Sequence, residues 1–112
     1  MFEFSCAHVF EGIKNVYRYF QSKIAQLDDE YFKTASRMRE LAMGQYGCKD
    51  FVSVTEGDGE ISISYWENME QISAWKRDPE HMLAQEIGKT KWYASYSVKI
   101  ASIVHNYSSK QA

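Results

Sequence analysis

Proline occurs once in the 112-residue sequence, glycine six times and cysteine twice. With 45% apolar and 25% charged residues, a chain so poor in breakers is too apolar for disorder and has an ordinary globular balance. Its length admits one hydrophobic core and no second domain. Cys6 and Cys48 have neither CxxC spacing nor a histidine cluster beside them. They read as two reduced thiols packed as small hydrophobes, and no metal site is expected. No window approaches the roughly 18 consecutive apolar residues of a spanning helix, so no membrane partner is expected. Met1 to His8 carry an acid and no Lys or Arg, unlike a secretory n-region, and the chain is expected in the cytoplasm. Thirteen basic against fifteen acidic residues leave a net charge of −2, without the positive field that holds a phosphate backbone. Nucleic acid is therefore not expected as a partner. Internal repeats, low-complexity tracts and a GxSxG elbow are absent, Gly57-Asp58-Gly59 reads as a turn, and Asp28-Asp29-Glu30 as a solvated helix start.

Aromatics are abundant: three Trp, eight Tyr and six Phe make 15% of the chain, more than a small core requires. Val16 to Ile24 mixes β-branched, aromatic and polar residues and predicts a first strand. Tyr31, Ala35, Met38 and Ala42 then recur at helical spacing, with Asp28 or Asp29 as cap and Gly44 and Gly47 as stop. Phe51–Thr55 and Ile61–Trp66 predict a hairpin across the turn 56–60. In its second strand Ile61, Ile63 and Tyr65 alternate with Ser62, Ser64 and Trp66, so Trp66 breaks an otherwise polar side. Asn68, with Gln71 three positions on, is a capping-box start for a second helix, interrupted at Asp78-Pro79. Glu80–Ile87 continues as a further helical segment ended by Gly88. Tyr96–Val104 predicts the last strand, with Val98, Ile100 and Ser102 on one side. The order β, α, β, β, α, β predicts an α+β, ferredoxin-like βαββαβ sandwich over residues 16–107. Residues 1–15 are expected as an N-terminal extension, edge strand or covering arm, and 108–112 as a tail. A sheet with helices on one side leaves its other side to be covered, which predicts an isologous homodimer.

The set Ile63-Ser64-Tyr65-Trp66-Glu67-Asn68, Ala74-Trp75-Lys76, Glu80-His81-Met82-Leu83-Ala84-Gln85 and Gly88-Lys89-Thr90-Lys91-Trp92-Tyr93 resembles, in order and spacing, the antibiotic biosynthesis monooxygenase family. The resemblance implies a dimeric α+β barrel: two ferredoxin-like protomers, sheets face to face, each with a pocket between sheet and helices. Its chemistry would be that of cofactor-free quinol and polyketide monooxygenases or of haem-degrading monooxygenases. The haem-degrading members carry a histidine ten positions after the helix tryptophan; counted from Trp75, that position is Gln85, while His81 lies only six positions on. They also use an asparagine on the first strand, where this chain reads Tyr17-Arg18-Tyr19. Both departures disfavour haem, and no cofactor is expected.

A cofactor-free oxygenation asks the protein for a dry pocket, a hydrogen-bond donor and a base, because a deprotonated phenol or enol reduces oxygen itself. Trp66, Trp75, Trp92, Tyr65, Tyr93 and Gln85 are expected to line a pocket for a small aromatic or quinol-type molecule. Packing alone would also account for Trp75, which falls on the helical stripe with Ile72. His81, the histidine inside the matched signature, is the candidate proton handler, although a first-turn histidine also serves as a backbone partner. His8 and His105 lie near the ends and are expected to be solvated. A non-catalytic binding dimer of the same fold is the alternative reading.

Overall fold

The computed structural model describes residues 12–110. The expected extension therefore lies outside the described residues as far as position 11, while its last residues enter the first strand. Strands β1 (Lys14–Ile24), β2 (Asp50–Glu56), β3 (Gly59–Asn68) and β4 (Tyr93–Ser102) form one antiparallel sheet in the order β2-β3-β1-β4. Helices α1 (Asp29–Gly44), α2 (Met69–Lys76) and α3 (Pro79–Ile87) complete a ferredoxin-like α+β layer pair.

Local chemistry sets the helix ends. The Tyr31 N–H donates to Asp28 Oδ1 at 2.8 Å and the Gln71 N–H to Asn68 Oδ1 at 2.9 Å, so both helices start on side-chain caps. Gln71 Oε1 accepts from the Glu67 N–H at 2.9 Å, one residue before the site of an ideal capping box. Asp78 caps α3 through the Glu80 N–H at 2.8 Å, with Pro79 in the first turn. Several expected boundaries shift: β1 begins at Lys14 rather than Val16, and β4 runs from Tyr93 to Ser102 rather than from Tyr96 to Val104. Residues 57 and 58 alone turn the hairpin, with Gly57 at φ 60 in its first central position, so Glu60 belongs to β3 and not to the turn. Gly88 does not end the helical run: the chain continues through a π-helical turn, Gly88–Trp92, and β4 begins at Tyr93. A Cβ at Gly88 would meet the Tyr93 ring at 2.8 Å, so glycine is needed there for packing and not for a stop.

The register decides what each side of the sheet is made of. Tyr17 pairs with Tyr65 and Val16 with Trp66, so even-numbered residues of β1 and β3 face the helices and odd-numbered ones face away. Glu60, Ser64 and Trp66 are buried on the helix side. Across the other side run the rows Asp50–Tyr65–Tyr17–Ala101, Val52–Ile63–Tyr19–Lys99 and Val54–Ile61–Gln21–Ser97. Val52 and Val54 there are 45% and 58% exposed. The apolar half of the β3 alternation thus lies away from the helices, and the polar half beneath them.

The core occupies one end of the space between the layers. Val16, Leu41, Ala42, Cys48, Trp66, Met69, Ile72 and Trp75 form a buried cluster. Trp66 and Trp75 meet at 5.3 Å between ring centroids, and each indole N–H is satisfied, by Ser64 Oγ at 2.8 Å and by the Met38 carbonyl at 3.1 Å. Trp66→Ala is expected to lower stability by about 3–5 kcal/mol in urea denaturation followed by circular dichroism. A loss below about 1 kcal/mol would show that this end of the core does not hold the layers together.

Candidate functional site

The other end of the interlayer space is open. A cavity of about 490 Å³ lies between the sheet and helices α1 and α3. It exists because the helix-side residues of β2 and β3 here are small or polar: Ser53 pairs with Ser62, and Thr55 with Glu60. The Ser53 and Ser62 hydroxyls bond to each other at 2.8 Å, which satisfies the floor without filling it. Tyr31, Ala35 and Met38 from α1 and His81, Ala84 and Gln85 from α3 line the opposite side, with Trp92 and Tyr93 beside them. Arg37 ties the two helices together, donating from Nε to Glu80 Oε2 at 2.9 Å and from a terminal nitrogen to Oε1 at 3.1 Å. This bidentate pair holds the Arg37 guanidinium protonated well above its ordinary range.

The expected site residues divide into three groups. His81, Gln85, Trp92 and Tyr93 line the cavity. Trp66 and Trp75 lie in the packed core and are absent from the cavity wall; Trp75 instead backs His81, ring to ring at 4.2 Å. Tyr65 lies on the far side of the sheet, its ring 6.0 Å from Tyr17. The reason is parity. Tyr65 and Trp66 are neighbours in a strand, and neighbours in a strand point to opposite sides.

His81 is 6% exposed. The Gln85 amide nitrogen lies 2.7 Å from Nδ1 of His81, one helical turn away. An amide NH₂ can only donate, so Nδ1 accepts and the ring proton sits on Nε2. Burial, with the Arg18 and Lys76 charges adding to it, pulls the imidazole down to about 4. His81 is therefore a neutral hydrogen-bond donor at neutral pH.

Two further wall residues, Arg18 and Glu60, are charged and buried. Arg18, 8% exposed, places its guanidinium carbon 5.2 Å from the Trp75 ring and 5.5 Å from the Phe20 ring. Glu60, 9% exposed, accepts a hydrogen bond from the Tyr31 hydroxyl. Burial, and then that bond, keep the Tyr31 phenol protonated far above its ordinary range; burial and the Glu60 charge push Tyr93 up to about 12. Glu60 was hidden by its expected place in the turn. Arg18 was legible once Val16 and Phe20 define the helix side of β1, since it shares their parity. Among the described residues no group of three or more His, Cys, Asp or Glu is placed to hold a metal ion, and no helix is long and apolar enough to cross a membrane.

The His81 environment has a measurable consequence. Above pH 6.5 the imidazole is neutral in both folded and unfolded chains and contributes no pH dependence. As pH falls from 6.5 toward 4, the unfolded chain binds a proton that the folded chain refuses, so stability is lost. The loss reaches about 3 kcal/mol by pH 4. Urea midpoints at pH 7 and pH 4 should show His81→Gln losing less stability than wild type by that amount; equal acid sensitivity would contradict the assigned environment.

No family model matches the sequence. The uncharacterized protein YqjZ of Bacillus subtilis (strain 168) is 41% identical over 85 residues, which span 75% of each chain. Among solved structures, SnoaB, a cofactor-independent oxygenase from Streptomyces nogalater, superposes with a TM-score of 0.71 at 10% identity, covering 83% of this chain and 96% of that one. A candidate antibiotic biosynthesis monooxygenase from Caulobacter crescentus CB15 gives a TM-score of 0.70 at 9% identity over 90% and 99% of the two chains. Rv0793 from Mycobacterium tuberculosis gives 0.71 at 8% over 84% and 99%. At such identities the likeness is one of fold.

Proposed function

The chain belongs to the same family as YqjZ of Bacillus subtilis and has the fold of the antibiotic biosynthesis monooxygenases, and from that premise we propose a cofactor-independent monooxygenase acting on a small flat phenol or quinol. The observation that carries this reading is the cavity. Its volume, about 490 Å³, falls within the range that binds drug-sized molecules. Its wall combines aromatic surfaces, Phe20, Trp92 and Tyr93, with a neutral donor, His81, and a fixed cation, Arg18.

The chemistry is the substrate's. An acidic methylene or hydroxyl loses a proton to give an electron-rich enolate, which reduces oxygen. For a methylene converted to a carbonyl, the substrate supplies all four electrons: one oxygen atom becomes the carbonyl and the other leaves as water with the two protons. The protein excludes bulk water, holds the ring system and stabilises charge on oxygen. His81 donates from Nε2–H toward a substrate or peroxide oxygen, which is its proton-handling role.

The functional unit in this reading is a homodimer joined through the far side of the sheet, where Val52, Val54, Ile61 and Ile63 stand together. An isologous pairing would bury that apolar band, which a monomer leaves against water. Ile63→Lys, in the central row, is expected to halve the mass seen by sedimentation equilibrium at micromolar protein. A wild type that is already monomeric would overturn the dimer.

Oxygen uptake tests the reaction. With a panel of quinols and anthrone-like phenols, wild type is expected to consume oxygen one-for-one with quinone formed, and His81→Ala to turn over about a hundredfold more slowly. Thermal stabilisation by these compounds without any uptake would make the protein a binding module of the same fold.

A further inference from the structure

Among the described residues, six side chains on the cavity wall are charged or can exchange a proton: Arg18, Arg39, Tyr31, Tyr93, His81 and Glu60. Removing a proton from a bound substrate requires a lone pair on a group able to hold that proton. The two guanidiniums have none to offer. The Tyr31 and Tyr93 phenols are protonated, and the Tyr31 proton is already directed at Glu60. The Nδ1 lone pair of His81 is engaged by Gln85 at 2.7 Å, and becoming an imidazolium would put a second cation beside Arg18 in a buried place. Glu60 remains. A carboxylate offers about four lone-pair directions, and the Tyr31 hydroxyl takes one of them.

Its placement suits the task. Glu60 and Ser64, the partner of Arg18, are four residues apart on β3, so the carboxylate and the guanidinium enter one cavity from rows about 13 Å apart along the sheet. A flat molecule lying along the floor meets a base at one end and a cation with a neutral donor at the other. This is the polarity an enolate needs, because the proton leaves at one end of a conjugated system while negative charge collects on the oxygen at the other.

We propose that Glu60 is the catalytic base of this site. The inference rests on the oxygenase reading, but it concerns a step that precedes oxygen. The substrate C–H or O–H bond breaks, the proton passes to a Glu60 carboxylate oxygen, and the electron pair stays on the substrate as an enolate or phenolate facing Arg18 and His81. No oxidant takes part in this step.

Deprotonation can be read without oxygen. Anthrone, a three-ring ketone with an acidic methylene across the ring from its carbonyl, exchanges that methylene's hydrogens with D₂O when a base acts on it, and proton NMR under argon follows the loss of signal. Wild type is expected to accelerate the exchange. Glu60→Gln, which keeps an acceptor for Tyr31, should slow it about a hundredfold while still binding anthraquinone in calorimetry. Glu56→Gln, the same change at an exposed position of the hairpin, should exchange as wild type does. Where Glu60→Gln fails to bind anthraquinone, Glu60→Asp replaces it, with slowed exchange and retained binding expected. Exchange at the wild-type rate in a Glu60 variant that binds anthraquinone overturns the assignment. So does oxygen uptake by wild type without any anaerobic exchange, which leaves the oxygenase reading standing. Neither exchange nor uptake in wild type removes that reading and this base together.

Discussion

The pairing of β1 with β3 is the constraint on which the remaining structure depends. Val16 opposite Trp66, Arg18 opposite Ser64 and Phe20 opposite Ser62 put one large and one small side chain together in each helix-side row. A slip of one residue in β3 would bring Ile61, Ile63 and Tyr65 beneath the helices and send the serines outward. The space now open would fill with aliphatic side chains, and the apolar band on the far side would vanish with it. Cavity and uncovered band are two results of a single register.

The interlayer space is consequently unequal along its length. At the end where β1 begins, Trp66, Trp75, Ile72 and Leu41 pack tightly and supply the burial that holds the layers together. At the other end the serine floor gives little apolar area, and the cavity stays open because its roof is tied elsewhere. Arg37 clamps α1 to α3 through Glu80, Tyr31 reaches from α1 to Glu60 on β3, and Tyr46 donates to the Asp78 carboxylate at 2.7 Å beside the start of α3. Arg18 and His81 lie where the two halves meet, each against Trp75. Trp75, one of three tryptophans expected to line the pocket, stands instead behind two groups that do line the cavity.

How much of the site could be read from the chain depends on which physical rule positions each residue. Asn68 was legible as a cap and Asp28 as one of two candidates with Asp29, since capping is decided within four residues. His81, Gln85, Trp92 and Tyr93 were legible as cavity residues through the family pattern. Glu60 was not, because glycine at 57 and 59 made a five-residue turn look natural, whereas the hairpin closes on residues 57 and 58. Gly88 looked like a helix stop by its composition and proved to be a place where the Tyr93 ring lies against bare backbone. Tyr65 and Trp66, taken together in the sequence, are separated by the sheet itself.

The chain by itself determined the order of its elements, the caps that start its helices, and the two-residue alternation of β3, because each is governed by neighbours a few residues apart. It could not say which half of that alternation would lie under the helices. The apolar half would be assigned to the core by transfer free energy alone, yet the long-range pairing of β1 with β3 and β4 placed it outside. Tertiary structure decided this, since the side of β3 that the helices cover is fixed by the contact of Trp66 with Trp75 of α2, whose indole is in turn bonded to Met38 of α1.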